Sequence, residues 1–398
     1  MRMRPLLPLC AFALASLAAC TVPEGDVGDS AQASTSSSSA PLAFEPGFER
    51  VTQRQASRRS DWGAQTAAAQ AGLLADGKSK AEAMSLAPTL ARQKAGFSLV
   101  NAKALAKLAL LAYEDEKTLT RHLDELGLPA DELHFKFFEN TCTGAQAFYV
   151  TNAATPTAPD TLADPYNKPS SSFAVLSFRG TEPKQVSDIV ADANIRPVPT
   201  NMGKMHAGFS DRVASLWDEA EPACGLTEPI GSYLRARHAF DGTGRPVRRG
   251  AELYITGHSL GGAMANVALT RTVTENCAAK GQTREDPCFL TYVPVSGLVT
   301  FGSPRVGDMS WAKGMTTYLE DRTAAYRFVN GRDVVTTIPK AGWYHLGNEG
   351  DETLFSVLIT GAGALSIGRS GDRGESGLRE MAGDHSMVGY EAALAALH

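Results

Sequence analysis

The chain has 398 residues, a formal net charge of −5 and an apolar fraction of 43%. That is enough apolar material for one large core or two smaller ones. Mild acidity without a basic stripe argues against a nucleic-acid partner, and beyond the N-terminal leader no apolar run is long enough for a membrane-spanning helix.

The first 20 residues, "MRMRPLLPLCAFALASLAAC", carry two arginines, an apolar stretch and small residues up to Cys20. This is the anatomy of an export signal, not of a stable span. Leu17-Ala18-Ala19-Cys20 resembles a bacterial lipobox, in which the cysteine receives lipid and becomes the first mature residue. The expectation is an exported lipoprotein held at the outer membrane or cell surface, with simple secretion as the alternative. Acylation at Cys20 with more than one chain would anchor firmly, since one chain holds only marginally. Residues 21–63 are rich in Ser, Ala, Pro and Gln, including "SAQASTSSSSA". Such composition reads as a flexible tether, spanning roughly 35 Å root-mean-square on the coil relation. Residues 64–96 are alanine-rich and helical in pattern, and their place in the fold is left open.

The globular domain is expected over 97–398. "SLVNAKALAKLALLAYEDE" has helical apolar spacing with Ser98 as a candidate N-cap. A second helix is expected at 119–126, stopped by Gly127-Leu128-Pro129. Strands are expected at 146–152 and 173–178 ("FAVLSF"), then at 252–256, 297–301 and 325–329, with helical patterns between several of them. Alternating strands and helices predict an α/β fold with a mostly parallel central sheet flanked by helices. Four cysteines lie outside the leader: Cys142, Cys224, Cys277 and Cys288. They permit three pairings. Cys277 and Cys288 close the shortest loop and are the favoured pair. No CxxC spacing suggests zinc.

"ELYITGHSLGGAMANVAL" runs from a buried strand straight into a small-residue helix, with Ser259 between Gly257-His258 and Gly261-Gly262. A turn that sharp needs residues without bulk two before and two after its apex. It lifts one hydroxyl over a helix N-terminus, where unpaired amides favour negative charge. This is the G-x-S-x-G nucleophile elbow. The bare pattern is a weak signal; its strand-to-helix context strengthens it. His258 adjoins the apex, so its side chain should point away.

A serine nucleophile needs a base, and the base needs an orienting acid. In this fold class the chain order is serine, acid, histidine. That order removes His206 and favours His385, in "GDHSMVGY" before a last helix, over His345. The acid should follow a strand's C-terminal end. Asp333 does so in "AYRFVNGRDVVTTIP", whereas Asp308 and Asp321 do not directly follow one. For oxyanion donors, the Leu260 N–H follows the nucleophile, and Thr181 stands in the turn after "FAVLSF".

The blocks "SFRGT", "HAGF", "ITGHSLGGAMA", "TFGSPRVGD" and "RFVNGRDVVTTIP", in that order between Ser98 and His385, resemble the class 3, fungal-type triacylglycerol lipases of the α/β-hydrolase superfamily. The resemblance implies a Ser259-Asp333-His385 triad, an oxyanion hole from Thr181 and Leu260, and a structural role for Arg305. It implies ester hydrolysis without metal or organic cofactor, by a protein expected to be monomeric. It also implies a lid over 182–191, beginning at Glu182. Ile189 stands where relatives often carry tryptophan, and Asp192 matches an aspartate that helps hold the oxyanion residue. Phospholipase A1, a general carboxylesterase and a catalytically silent surface lipoprotein are the alternatives. The apolar run at 354–367 is expected as a core strand and helix, with an acyl-binding or membrane-touching insert as the alternative.

Overall fold

The computed structural model describes residues 62–75, 96–153, 173–181, 196–238, 252–278, 295–319, 323–339, 342–349 and 384–397. Shorter pieces are described at 42–44, 77–91, 293, 352–353, 356–360 and 364–367. All belong to the compact unit that begins at Ser39.

Among the described residues an eight-stranded sheet forms the centre. Its strands are β1 (Phe135–Asn140), β2 (Ala145–Thr151), β3 (Phe173–Phe178), β6 (Glu252–His258), β7 (Gly297–Phe301), β8 (Ala324–Asn330), β11 (Ser356–Thr360) and β12 (Ala364–Ile367), and they neighbour one another in that order. From β3 through β6, β7 and β8 to β11, each neighbouring pair is parallel. β1, β2 and β12 add antiparallel margins. Two small ribbons stand apart: β4 (Pro197–Thr200) with β5 (Gly203–His206), and β9 (Asn348–Glu349) with β10 (Glu352–Thr353).

The strands read as continuous apolar runs because both faces are covered. The two-residue period still sorts them. Ala174, Leu176, Phe178, Leu253 and Ile255 face one core; Phe173, Val175, Tyr254, Val299 and Phe328 face the other. Helices α1 (Trp62–Ala75), α4 (Ala207–Trp217), α5 (Ile230–His238), α6 (Leu260–Ala278) and α7 (Met309–Leu319) contribute to the first core. Helices α2 (Leu99–Leu111), α3 (Glu116–Glu125) and α8 (Met387–Ala395) contribute to the second.

Several expectations meet the structure closely. Ser98 caps α2 by accepting the Asn101 N–H at 3.1 Å. β3 and β7 have the expected bounds. α3 starts at Glu116, three residues before the apolar pattern, because Asp115 caps it by accepting the Thr118 N–H at 2.9 Å.

Three departures have physical reasons. β1 was not anticipated: its burial alternates imperfectly, and its main support is six-residue pairing with β2. The apolar run at 354–367 is two strands, not a strand and a helix. β11 pairs with β8, and β12 folds back on β11; Gly361 and Gly363 break the helical period between them. Val357 and Ile359 are buried in the second core, as the core reading required. Finally, the alanine-rich segment has a place: Ala69, Leu73, Ala83, Ala87 and Ala91 are buried in the first core.

Within the stretch read as tether, Leu42 and Phe44 lie against the second core. The Leu42 N–H donates to the Leu126 carbonyl at 2.9 Å. Phe44 stacks on Phe173 at 4.1 Å between centroids and tilts against Tyr254 at 5.1 Å. Apolar side chains in a polar stretch dock because they remove their own surface and that of two rings from water.

A disulfide joins Cys142, in the β1–β2 turn, to Cys224, in the short helical turn Pro222–Cys224. Cys288 lies outside the described residues, and with it the favoured Cys277–Cys288 pairing; so does the proposed lipid site at Cys20. Among the described residues no helix is long and apolar enough to cross a membrane.

Candidate active site

Because β3, β6, β7 and β8 are parallel, their C-terminal ends share one rim of the sheet. Open α/β sheets build their sites at such a rim. β6 ends at His258 and α6 begins at Leu260, leaving Ser259 as the single linking residue. Ser259 has φ of 56°, alone among the described non-glycine residues in the left-handed region. Such strain persists where the surroundings over-determine it. The close packing around it explains the glycines. A Cβ at Gly257 would fall 2.4 Å from the Gly261 carbonyl carbon, and one at Gly261 would fall 2.2 Å from the Phe178 carbonyl oxygen.

Three side chains, far apart in sequence, form a hydrogen-bonded row. Ser259 Oγ lies 2.8 Å from His385 Nε2. His385 Nδ1 lies 2.9 Å from Asp333 Oδ1 and 2.8 Å from Oδ2. All three are buried, Ser259 with only 1% of its surface exposed. Asp333 stands in the loop after β8. Its Oδ1 accepts the Val335 N–H at 2.9 Å and its Oδ2 accepts the Tyr390 hydroxyl at 2.7 Å. His385 precedes α8, and its segment is tied to the end of β8: Asn330 Nδ2 donates to the Asp384 carbonyl at 3.1 Å, and the Arg332 N–H to Asp384 Oδ2 at 2.7 Å. Gly302, after β7, must be glycine on two counts. Its φ is 57°, and a Cβ there would stand 2.6 Å from Asp333 Oδ2 and 3.0 Å from His385 Nδ1.

The β3 end closes the other side. Gly180 packs so tightly on the elbow that a Cβ would lie 2.5 Å from the His258 carbonyl oxygen. This brings the Arg179–Gly180–Thr181 turn against the elbow, with Thr181 half-buried. Leu260 opens the 19-residue helix α6, so the helix N-terminus adjoins Ser259.

The remaining candidates fall into place. His258 points away from the Ser259 hydroxyl: its Nδ1 meets the Tyr113 hydroxyl at 2.7 Å and its Nε2 the His385 carbonyl at 2.6 Å. His345 is buried and its Nε2 donates to the Thr336 carbonyl at 2.7 Å, outside the row. Asp308 caps α7 by accepting the Trp311 N–H at 2.8 Å. Arg305 donates to the Pro339 carbonyl at 3.1 Å, an architectural contact. Glu182, Ile189, Asp192 and Asp321 lie outside the described residues.

Sequence reasoning missed Tyr390 and Tyr113. Tyr390 carried a signal: it sits five residues after His385, one turn into a helix that starts beside the row. Its phenol is pushed far above its ordinary pKa by burial and then by the Asp333 charge, so it stays a donor. Tyr113 carried none, because it looks like one more ring at the end of an apolar helix.

Chemically, the row can pass a proton from hydroxyl to imidazole, with the carboxylate stabilising the imidazolium. The strand order and the serine turn after β6 make this an α/β-hydrolase fold, a mostly parallel central sheet flanked by helices. Residues 175–343 match the family model of class 3 lipases. A protein named Phospholipase A1-II 1, from Oryza sativa subsp. indica, is 26% identical over 182 residues, covering 44% of this chain and 42% of that protein. Lipase ZK262.3 of Caenorhabditis elegans is 31% identical over 116 residues, 28% of each chain. This chain thus spans less than half the length of the curated relatives it matches. Among solved structures, one described as a fungal lipase is 19% identical, with a TM-score of 0.45, covering 72% of this chain and 94% of that one. The Rhizomucor miehei lipase propeptide complex is 20% identical, with a TM-score of 0.39, covering 68% of this chain and 70% of that one.

Proposed function

We propose that the protein is a serine hydrolase that cleaves carboxylic esters of lipids. The observation that carries this is the unbroken Ser259–His385–Asp333 row at the end of a strained elbow. His385 takes the proton as Ser259 attacks the ester carbonyl. Asp333 orients the imidazole and stabilises its charge. The amides of Leu260 and Thr181 receive the oxyanion, each such donor contributing about 3 kcal/mol in the transition state. His385 then protonates the departing alcohol, and water releases the acid from Ser259. The match to class 3 lipases supports lipid esters as the substrate class.

With Ser259 almost fully buried, an ester reaches it only after something moves aside. The 182–191 segment is our proposed lid. The rice relatives named phospholipase A1 favour a second reading, in which the ester belongs to a phospholipid. A panel of triacylglycerols and phospholipids of graded chain length separates the two.

The test of the reaction is direct. Ser259→Ala should lower turnover of short p-nitrophenyl esters by at least about 10³-fold while the circular dichroism spectrum stays unchanged. A fluorescent organophosphonate should label Ser259 and no other serine. Turnover surviving in the variant, or no labelling of the wild type, would end the hydrolase reading and leave the silent lipoprotein.

We also propose export and lipid attachment at Cys20, from the leader anatomy. The Cys142–Cys224 bond supports an oxidising compartment. Cys20→Ala should move the protein from the membrane to the soluble fraction of fractionated cells.

A further inference from the structure

We infer that His258 and Tyr113 are positioning residues, which together set the backbone of His385 from behind the elbow; this rests on the proposed Ser259–His385–Asp333 chemistry. The hydrogen-bond chemistry assigns every proton. His258 Nε2 is 2.6 Å from the His385 carbonyl oxygen, which can only accept, so Nε2 carries hydrogen. In a neutral ring Nδ1 then holds a lone pair, and the Tyr113 hydroxyl 2.7 Å away donates to it. Tyr113 thereby selects one tautomer of His258, and that tautomer is the one able to hold His385.

The surroundings keep the ring neutral. Burial, and then the neighbouring His385, hold the His258 pKa well below the ordinary histidine value. The two imidazoles are 4.7 Å apart between centroids. When His385 gains a proton during turnover, a second cation that close would be opposed. His258 therefore gives a donor without competing for the proton in transit.

Connectivity makes this contact more than local packing. His258 precedes Ser259, so one strand end sets both the nucleophile and the base that serves it. Besides the bonds of the His385 ring itself, Asp384 ties the same segment to the end of β8. His258 holds the same segment from the β6 side, across 127 residues of sequence. Tyr113 also reaches the oxyanion turn. A Cβ at Gly180 would fall 2.1 Å from its hydroxyl oxygen, so the phenol lies directly beneath the residue before Thr181. One hydroxyl at the end of α2 thus touches both the donor loop and the histidine that steadies the base.

The experiment compares three variants of the full chain with wild type. His258→Leu removes both ring bonds and should lower kcat about 100-fold, with KM changed less than about twofold. His258→Gln carries an amide N–H near the Nε2 position and should recover most of that loss. Tyr113→Phe keeps the ring and removes the hydroxyl, and should lower kcat about fivefold to tenfold. A merely structural role would depress melting temperature in the Gln and Leu variants alike without separating their kcat values, and that result overturns the proposal. Should His258→Leu fail to fold, nitrogen-15 NMR of histidine-labelled wild type decides. The His258 imidazole, identified as the resonance absent from His258→Gln, should remain neutral, with its proton on Nε2, from pH 8 to pH 5, and lose that tautomer in Tyr113→Phe. A His258 ring protonated on Nδ1, or titrating near 6.5, sinks the assignment. Phosphonate labelling of wild type, run in parallel, distinguishes failure of the latch from failure of the hydrolase reading itself.

Discussion

Tyr390 shows how much one hydroxyl can organise. It donates to Asp333 Oδ2 at 2.7 Å and accepts the Asn330 N–H at 2.9 Å. Tyr390→Phe takes one hydrogen-bond partner from the part-buried Asn330 amide and one donor from the buried carboxylate, the latter a loss of about 1–3 kcal/mol. The expected outcome is a roughly tenfold fall in kcat with KM unchanged, accompanied by a lower melting temperature; steady-state kinetics and calorimetry check both. At this scale the three side chains that meet in the hydrogen-bonded row were legible in the sequence. Ser259, Asp333 and His385 announce themselves by chain order and by what precedes each. Their supporting side chains were not, because a tyrosine gains its meaning from a partner 57 positions away. The glycines were half legible. Gly257 and Gly261 follow from the elbow geometry, while Gly302 becomes explicable only once Asp333 and His385 stand beside it.

Among elements, the strands that carry the site were the readable ones. β3, β6, β7 and β8 are covered on both faces, so their apolar runs are dense and bounded by turn residues. β1 and β12 are marginal strands whose conformation comes from a neighbour through pairing, and pairing leaves little trace in local composition. β1 has a second support. Cys142 binds Cys224 across a separation of 82 residues, and the Thr141 N–H donates to the Cys224 carbonyl at 2.8 Å. Asn140 adds a bond from Nδ2 to Glu221 Oε2 at 2.7 Å. Closing a loop of that length stabilises the fold by about 4.5 kcal/mol on the chain-entropy relation. Replacing both Cys142 and Cys224 by serine should lower the urea midpoint accordingly, and reductant should bring wild type to the same value. A wild type indifferent to reductant would mean that the β1–β2 turn is held by its polar contacts alone.

For the molecule as a whole, buried histidines set the acid limit. Burial, reinforced by the Arg237 charge, pushes the His238 pKa down to about 4, and its Nε2 lies 3.0 Å from the buried Tyr149 hydroxyl. His206 and His258 are lowered in the same sense, each mainly by burial. The unfolded chain takes up these protons near pH 6.5, while the folded chain keeps His238 neutral until about pH 4. The His238 contribution is therefore fully present above pH 6.5, falls as pH drops toward 4, and then levels off. His238 alone contributes on the order of 2–3 kcal/mol to that decline. Urea unfolding at pH 7.5 and pH 5 should show it. His238→Gln, which keeps a polar partner for Tyr149 and cannot titrate, should narrow the gap. None of this was visible from composition, which counts eight histidines without saying which are enclosed. The α/β architecture was visible, because strand and helix periods alternate along the chain and only a few layered arrangements accommodate that alternation.

The contact made by Leu42 and Phe44 bears on where the gene should be cut. Judged by composition, the natural cloning start is near Ala64, after the serine-rich stretch ends. A fragment begun there loses Trp62 and Gly63 from the start of α1 and strips Phe44 from the rings of Phe173 and Tyr254, leaving an oily scar at the pole of the sheet away from Ser259. Expression vectors that start ahead of Leu42 keep that pole sealed.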